Sequence, residues 1–331
     1  MKKYVIIEIF SFKTNKYLMK DRINLYWYRH KGGKGNFGDE LNPFIIEELS
    51  GMIPRYIDIF KLPKNKFQAF KVIINKLITG NFSFKNFLSS EEWIVLSGQS
   101  TLVSIGSVIS WFNAPNVIVW GAGVISKGVK INKARFLAVR GKHTLQHLVD
   151  AGHKCTNTVL GDPALLLPII INVKDFPKTK KIGIIPHYLH YEIIKNMVPT
   201  EHCIVINLLE SIESIIGEIN ACEITVSTSL HGVIVSHAYG IPSLWVDFEE
   251  LESNKLAGDN VKFKDYFSSM NIPEYDPVSL KSNFYDCGFD EIISLYKDHL
   301  LPQGDLVTKV QNNLLKTAPF YLKKEYAIIV S

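Results

Sequence analysis

The segment Glu223 to Asp247, EITVSTSLHGVIVSHAYGIPSLWVD, admits few folds. Its alternating β-branched start (Ile224, Val226, Thr228) reads as a strand entering a core. The hydroxyl residues Ser227, Thr228 and Ser229 stand where a helix N-cap is wanted, and Leu230 to Tyr239 reads as a short helix. Gly240 ends that helix, Pro242 bars its continuation, and Leu244 to Val246 form a second buried strand. The product is strand, helix, strand, with His231 in the first helical turn. Backbone N–H groups there face outward at the positive end of the helix dipole, which favours an anion. A histidine so placed can meet a phosphate or carboxylate and exchange a proton with it. From pattern alone, a half-exposed capping histidine fits as well.

The same alternation recurs upstream. Trp93–Leu96, Val117–Trp120, Phe136–Val139 and Thr158–Leu160 are apolar runs, each leading into a glycine turn. Strand, glycine turn and helix in repetition indicate parallel α/β sheets, whose ligands bind beyond the carboxyl ends of the strands. Leu25–Tyr28 reads as an earlier strand, and the basic glycine-rich loop Arg29–Gly38 leads to a helix capped at Asp39. MKKYVIIEIF reads as a first strand rather than a signal peptide, because Glu8 interrupts a very short apolar run. Residues 168–181 hold two prolines and four lysines and mark a boundary between residues 1–172 and 173–331. Lys181–Ile185 opens the second sheet, with Pro186-His187-Tyr188 as its first strand-end turn; Ile204–Leu208 continues it. Glu249–Asn260 is a polar loop, and Tyr326–Val330 reads as a short strand or a docking tail.

With 47% hydrophobic and 21% charged residues, a sizeable core is affordable and disorder is not expected. No apolar run reaches the length of a membrane span. Cys155, Cys203, Cys222 and Cys287 are scattered without metal spacing, which reads as reduced thiols of a cytoplasmic protein. Charge is distributed unevenly: residues 1–149 carry a net +13 and residues 150–331 a net −8. An anionic partner is therefore expected for the first half, either a phosphorylated substrate or a lipid surface, and no nucleic-acid motif accompanies the charge. Phe60–Phe87 holds six lysines and no acid among six phenylalanines. That composition suits either peripheral contact with an anionic membrane through residues 60–87 or a solvated helix packed on one side.

Arginine is scarce. Arg22, Arg29, Arg55, Arg135 and Arg140 are all in the first half, so a bidentate clamp on phosphate or carboxylate must come from there. Arg140 follows a strand directly, whereas Arg135 begins that strand and lies at the wrong end. His187 reads equally as a site group or an exposed loop histidine.

The sequence Ser227-Thr228-Ser229-Leu230-His231-Gly232-Val233-Ile234, followed by Ala238-Tyr239-Gly240-Ile241-Pro242, resembles the signature of the polysaccharide pyruvyl transferase family. Matching blocks precede and follow it in order: Asn36-Phe37-Gly38-Asp39-Glu40-Leu41-Asn42, Trp120-Gly121-Ala122-Gly123, Val139-Arg140-Gly141 with Thr144, Leu160-Gly161-Asp162-Pro163-Ala164, and Val261-Lys262-Phe263-Lys264-Asp265-Tyr266. The resemblance spans roughly residues 25–270 and is fairly specific as an ordered set. It implies two Rossmann-like α/β domains facing across a cleft in GT-B manner, a basic N-terminal acceptor domain and a C-terminal phosphoenolpyruvate domain. It also implies transfer of pyruvate from phosphoenolpyruvate onto two hydroxyls of a sugar in a bacterial surface polysaccharide or its lipid-linked precursor, forming a pyruvate ketal, without metal or organic cofactor. Cytoplasmic placement at the inner face of the membrane would suit that acceptor. By the same resemblance His231 is the expected acid, Asp39 the base and Arg140 the anion clamp. Gly38, Asn42, Gly121, Asp162, His187, Thr228, Ser229, Gly232 and Lys264 are the expected substrate contacts. One departure stands out: Ser229 occupies the place where other members carry Arg. Two alternatives remain at this level. One is a GT-B glycosyltransferase using a nucleotide sugar, with Glu249, Glu250 and Glu252 as ribose acids; the other is a non-catalytic sugar-binding relative.

Overall fold

The computed structural model describes residues 19, 22–29, 35–173, 178, 180–198, 201, 203–254, 260–286 and 288–330. The N-terminal strand expected over residues 1–10, residues 30–34 of the glycine-rich loop, much of the linker after residue 173, and Cys287 lie outside these described residues.

Two parallel sheets carry the fold. The first comprises β1 (Asn24–Tyr26), β2 (Arg55–Tyr56), β3 (Thr101–Val103), β4 (Val117–Trp120), β5 (Arg135–Val139) and β6 (Val159–Leu160), in the order β2-β1-β3-β4-β5-β6. The second comprises β7 (Lys180–Ile185), β8 (Cys203–Val205), β9 (Cys222–Ser227), β10 (Ser243–Phe248) and β11 (Val278–Leu280), in the order β11-β10-β9-β7-β8. Every strand pair is parallel, with Asn24 opposite Thr101 and Ile184 opposite Val226 at the two sheet centres. Strands β3 and β4 are buried along their whole length, as expected when helices cover both faces. These are two Rossmann-like lobes facing across a cleft.

In each sheet the chain first steps one way and then reverses. The reversal lies between β1 and β3 in the first lobe and between β7 and β9 in the second. Strand-end loops diverge at such a point and leave a crevice, the usual ligand position in an open α/β sheet. The loop after β1 enters the helix Phe37–Ser50, and the turn after β9 enters the helix Leu230–Ala238. Asp39 and His231 therefore begin helices at the two reversal points.

The lobes share one core. Phe37, Leu41 and Ile45 of the first lobe pack in the same apolar cluster as Ile185, Leu230 and Val233 of the second. The Phe37 N–H also donates across the boundary to the Leu208 carbonyl at 3.1 Å. The C-terminal helix Leu306–Lys316 returns to the first lobe: Trp120 Nε1 donates to the Leu314 carbonyl (3.2 Å), and Gln311 Nε2 to that of Leu165 (2.7 Å).

Several expectations need correction: the helix expected to be capped at Asp39 is capped at Asn36, with Asp39 in its first turn, and the loop expected from Glu249 opens with a 3-10 helix, Glu249–Asn254. Trp93–Leu96 is not a strand but part of the helix Glu91–Ser97, and β3 comes after it. Ser90 caps this helix by accepting the Trp93 N–H, two acids occupy its first turn, and Gly98 closes it at φ 75°. Tyr326–Val330 is helical, and the tail docks: Tyr326 is buried and the Lys323 N–H donates to the Leu49 carbonyl.

Candidate active site

His231 is held at the boundary between the lobes. Its ring lies so close over Gly38 that a Cβ added to that glycine would sit 2.0 Å from Nδ1. On its other side Nε2 is 3.8 Å from Oδ2 of Asp162, and the side chain is 15% exposed. Asp162 follows β6 and uses its other oxygen to accept the Ala164 N–H at 3.0 Å, so the direction of its free oxygen is set by a capping bond. Asp39 comes from the Phe37–Ser50 helix, whose Asn36 cap accepts the Asp39 N–H.

Three polar atoms in this place are buried without a hydrogen-bond partner: Asp39 Oδ2, Asp162 Oδ2 and His231 Nε2. Buried polar groups are nearly always bonded, so three unpaired atoms contributed by three elements to one boundary make it the candidate site. Burial pushes the Asp39 carboxyl up to about 7, against the opposing pull of His231 and of the Asn36 backbone. A carboxylate with that affinity is suited to take a proton near neutral pH.

The sign of the effect on stability follows from this shift. Because the folded carboxyl binds its proton more tightly than the ordinary value of 3.8, its contribution is fully present below that value and is lost as pH rises through about 7. At pH 8 the buried carboxylate is therefore a burden, at most ~4 kcal/mol from ~1.4 kcal/mol per unit. Asp39→Asn is expected to gain stability over the parent at pH 8 and to lose that advantage toward pH 4, while transfer activity falls. Denaturant titrations at both pH values check this; parallel pH profiles in the two proteins would remove the buried-carboxyl reading.

The turn after β9 is braced by its own hydroxyls. Ser227 Oγ donates to the Ile185 carbonyl (2.9 Å) and accepts the Ser229 N–H (3.0 Å), joining the ends of β7 and β9. Thr228 Oγ1 accepts the His187 N–H at 2.8 Å. Ser229 occupies the N-cap, buried, with no capping bond from its side chain. His187 Nδ1 accepts the Leu189 N–H, which leaves the ring proton on Nε2. Burial, followed by the charges of Lys262 and His190, pushes His187 down to about 3. It is a neutral donor at the cleft rather than a cation.

Several of the expected contacts are engaged in packing. Asn42 is fully buried and bonds the Ile105 backbone twice, Nδ2 to O at 3.1 Å and Oδ1 from N at 2.8 Å. Gly121, at φ 101°, lies against Pro163, and Gly232 against Ser227 and Ile185; a Cβ at either would collide. The clamp expected of Arg140 is also not presented to the cleft. Its side chain is 0% exposed and bonds Asp265 through Nε (3.0 Å), Ser107 through one terminal nitrogen and the Val124 carbonyl through the other (2.7 Å each). Lys264 points away to an ion pair with Asp276 at 2.7 Å.

Its neighbour Lys262 faces another way. Residues two apart on a helix face nearly opposite ways, and Lys262 lies within electrostatic reach of His187 and Arg140. Burial, then the Arg140 charge, pushes its ammonium down to about 8. A cation kept beside another cation and a neutral histidine is suited to an anion that would restore its charge. The Val261-Lys262-Phe263-Lys264 pattern signals a lysine at this position, but only the helix phase says which of the two.

An aromatic wall stands on the first lobe at the end of β1. Beyond β1, Tyr28 contacts Trp111 with ring centroids 5.8 Å apart, and Tyr26 and Phe60 pack on the same indole at 6.4 and 6.1 Å. Arg29 lies over the rings of Trp27 and Tyr56 at 4.3 and 4.1 Å. The aromatic run at the end of β1 was the available sequence signal for this wall. Among the acids considered for a nucleotide sugar, Glu250 accepts the Ser282 N–H at 2.8 Å.

A family model for polysaccharide pyruvyl transferases matches residues 36–249. The chain belongs to the polysaccharide pyruvyl transferase family. The match begins at the cap of the Asp39 helix and ends just beyond β10, so it contains Asp39, Asp162, His187 and His231 but not Lys262. An uncharacterized protein of Acanthamoeba polyphaga mimivirus is 30% identical over 215 residues, covering 63% of this chain and 69% of that protein. No solved structure matches. Membership makes the chain a transferase that moves pyruvate from phosphoenolpyruvate onto a saccharide as a ketal. Among the described residues, no group of three or more His, Cys, Asp or Glu is placed to hold a metal ion, and no helix is long and apolar enough to cross a membrane.

Proposed function

We propose that His231 is the general acid and Asp39 the general base of this transfer, with phosphoenolpyruvate held between His187, Lys262 and the start of the Leu230–Ala238 helix. The observation that carries this reading is the convergence of the unpartnered Asp39, Asp162 and His231 atoms at the lobe boundary. His231 protonates the methylene carbon, which becomes a methyl group and leaves C2 electrophilic. One sugar hydroxyl adds to C2 and loses its proton to Asp39. Phosphate then departs as the second hydroxyl attacks, and the second hydroxyl proton leaves with the phosphate, so that the products are one ketal and one hydrogen phosphate. Asp162 orients the imidazole. Lys262, the His187 Nε2–H and the helix N–H groups offset the donor charge in place of an arginine at Ser229.

Residues 1–172, joined by the C-terminal helix Leu306–Lys316, form the acceptor lobe in this reading, and the rest of 173–331 forms the donor lobe. The wall of Tyr28, Trp111 and Phe60 offers apolar faces to a sugar ring. The acceptor is a surface-polysaccharide precursor on a lipid carrier, which places the enzyme in the cytoplasm at the inner face of the membrane, with no part for nucleic acid.

Incubation with phosphoenolpyruvate and lipid-linked oligosaccharides, followed by mass measurement, is expected to give acceptor carrying one pyruvate ketal with equimolar phosphate. A mass increment that requires a nucleotide sugar instead would assign the donor site differently.

A further inference from the structure

The apolar residues of the helix Lys66–Ile78 extend well beyond its packed face. Ala69 and Ile73 face the protein and are buried. The outward side presents Phe67, Phe70, Leu77 and Ile78, which are 67, 55, 54 and 79% exposed, with Ile74 between them. At 100° per residue these five positions fill an arc of about 100° centred roughly 110° round from Ala69 and Ile73, so the stripe flanks the buried face and continues it into solvent. A packed helix ordinarily turns polar residues to solvent, and an apolar arc left exposed beside the packed face marks a contact surface.

The helix is fixed in place and does not simply fray outward. Asn65 caps it by accepting the Gln68 N–H at 2.9 Å, and Lys76 joins Glu92 of the neighbouring helix at 2.9 Å. The exposed Lys66 and Lys71 flank the stripe, Lys64 precedes the helix and Lys85 follows it in the chain, with no acid from residue 59 to residue 90. Lys71 lies over the Phe67 ring at 4.6 Å, so an apolar body and a cation are offered together. The same charge argues against a second copy as the occupant, because a two-fold contact would set lysine against lysine.

We propose that the outward face of Lys66–Ile78 docks on an anionic phospholipid bilayer, the phenylalanines and aliphatic side chains entering the acyl boundary and the lysines meeting lipid phosphates. The face connects with the acceptor side of the site: Phe60, which leads into this helix, packs on Tyr26 and Trp111. Docking here sets the aromatic wall beside the surface where a lipid-carried sugar would be presented, and in that respect the inference rests on the lipid-linked acceptor proposed above.

Co-sedimentation with vesicles tests it without phosphoenolpyruvate or sugar, so its result stands apart from that of the transfer assay. The protein is expected to bind vesicles of phosphatidylcholine with phosphatidylglycerol, and to bind about tenfold less to phosphatidylcholine alone or in high salt. Phe67→Ser, Phe70→Ser and Leu77→Ser together should reduce binding to the anionic vesicles by about tenfold or more while circular dichroism and unfolding are unchanged, since these side chains are exposed. Lys66→Gln with Lys71→Gln should also weaken it. Equal vesicle binding by parent and triple variant would overturn the proposal. So would failure of the parent to bind anionic vesicles, or a concentration-dependent dimer that the triple variant abolishes.

Discussion

His231→Asn should reduce pyruvyl transfer by about a hundredfold to ten-thousandfold in kcat, the usual contribution of a positioned general acid. Asparagine keeps a polar amide at the lobe boundary and retains the helix start, but it cannot deliver a proton to carbon. The change should fall on kcat more than on the KM for phosphoenolpyruvate, because Lys262, His187 and the helix N–H groups still meet the anion. Stability should change little, since the imidazole is partly open and Nε2 has no hydrogen bond to lose. Phosphate release measured at saturating phosphoenolpyruvate separates these effects. Activity within tenfold of the parent would exclude His231 as the acid and leave it as a spacer between Gly38 and Asp162.

Much of this arrangement was legible because strand ends and helix starts are written locally. The β-branched run before Ser227 and the glycine and proline after Tyr239 fix His231 at a helix start; the helix at Asp39 was legible too, but Asn36 caps it three residues before the residue expected to. Parallel topology then brings both to the carboxyl edges. Trp93–Leu96 was misread because four apolar residues suit a strand or a helix, and the deciding signal was the Ser90-Glu91-Glu92 start in front of them. Side-chain direction was not legible at all. Lys262 and Lys264 have the same chemistry in the same block, and only helix phase separates the cleft from the Asp276 ion pair. Arg140 had the expected strand end, but its partner Asp265 comes from another lobe, a pairing over 125 positions that no local pattern encodes.

That pairing leads to an expected loss of stability larger than any other single change in the molecule. The Asp265 carboxylate receives Arg140 Nε at 3.0 Å, the Thr144 N–H at 2.9 Å and the Thr144 hydroxyl at 2.6 Å, with both ionic side chains 0% exposed. Gly141 lets the Asp265 backbone approach, since a Cβ there would lie 1.6 Å from its carbonyl oxygen, and Gly123 makes room for the guanidinium. Nearby, the Lys142 N–H donates to Ser268 Oγ at 2.8 Å, so the Val261–Ser269 helix is tied to the first lobe at two points one turn apart. Arg140→Met strands a buried carboxylate and is expected to cost about 3–5 kcal/mol of unfolding free energy, as is Asp265→Leu, which strands a buried guanidinium. The double variant should recover much of that loss, because an apolar pair removes both desolvated charges together. Lys262 stands on the same helix, so the single variants should also raise the KM for phosphoenolpyruvate by loosening that helix, and the double variant should lower it again. If Arg140→Met instead leaves stability intact and abolishes phosphoenolpyruvate binding, the guanidinium is a ligand after all, and the arginine that the sequence pointed to acts on the donor directly.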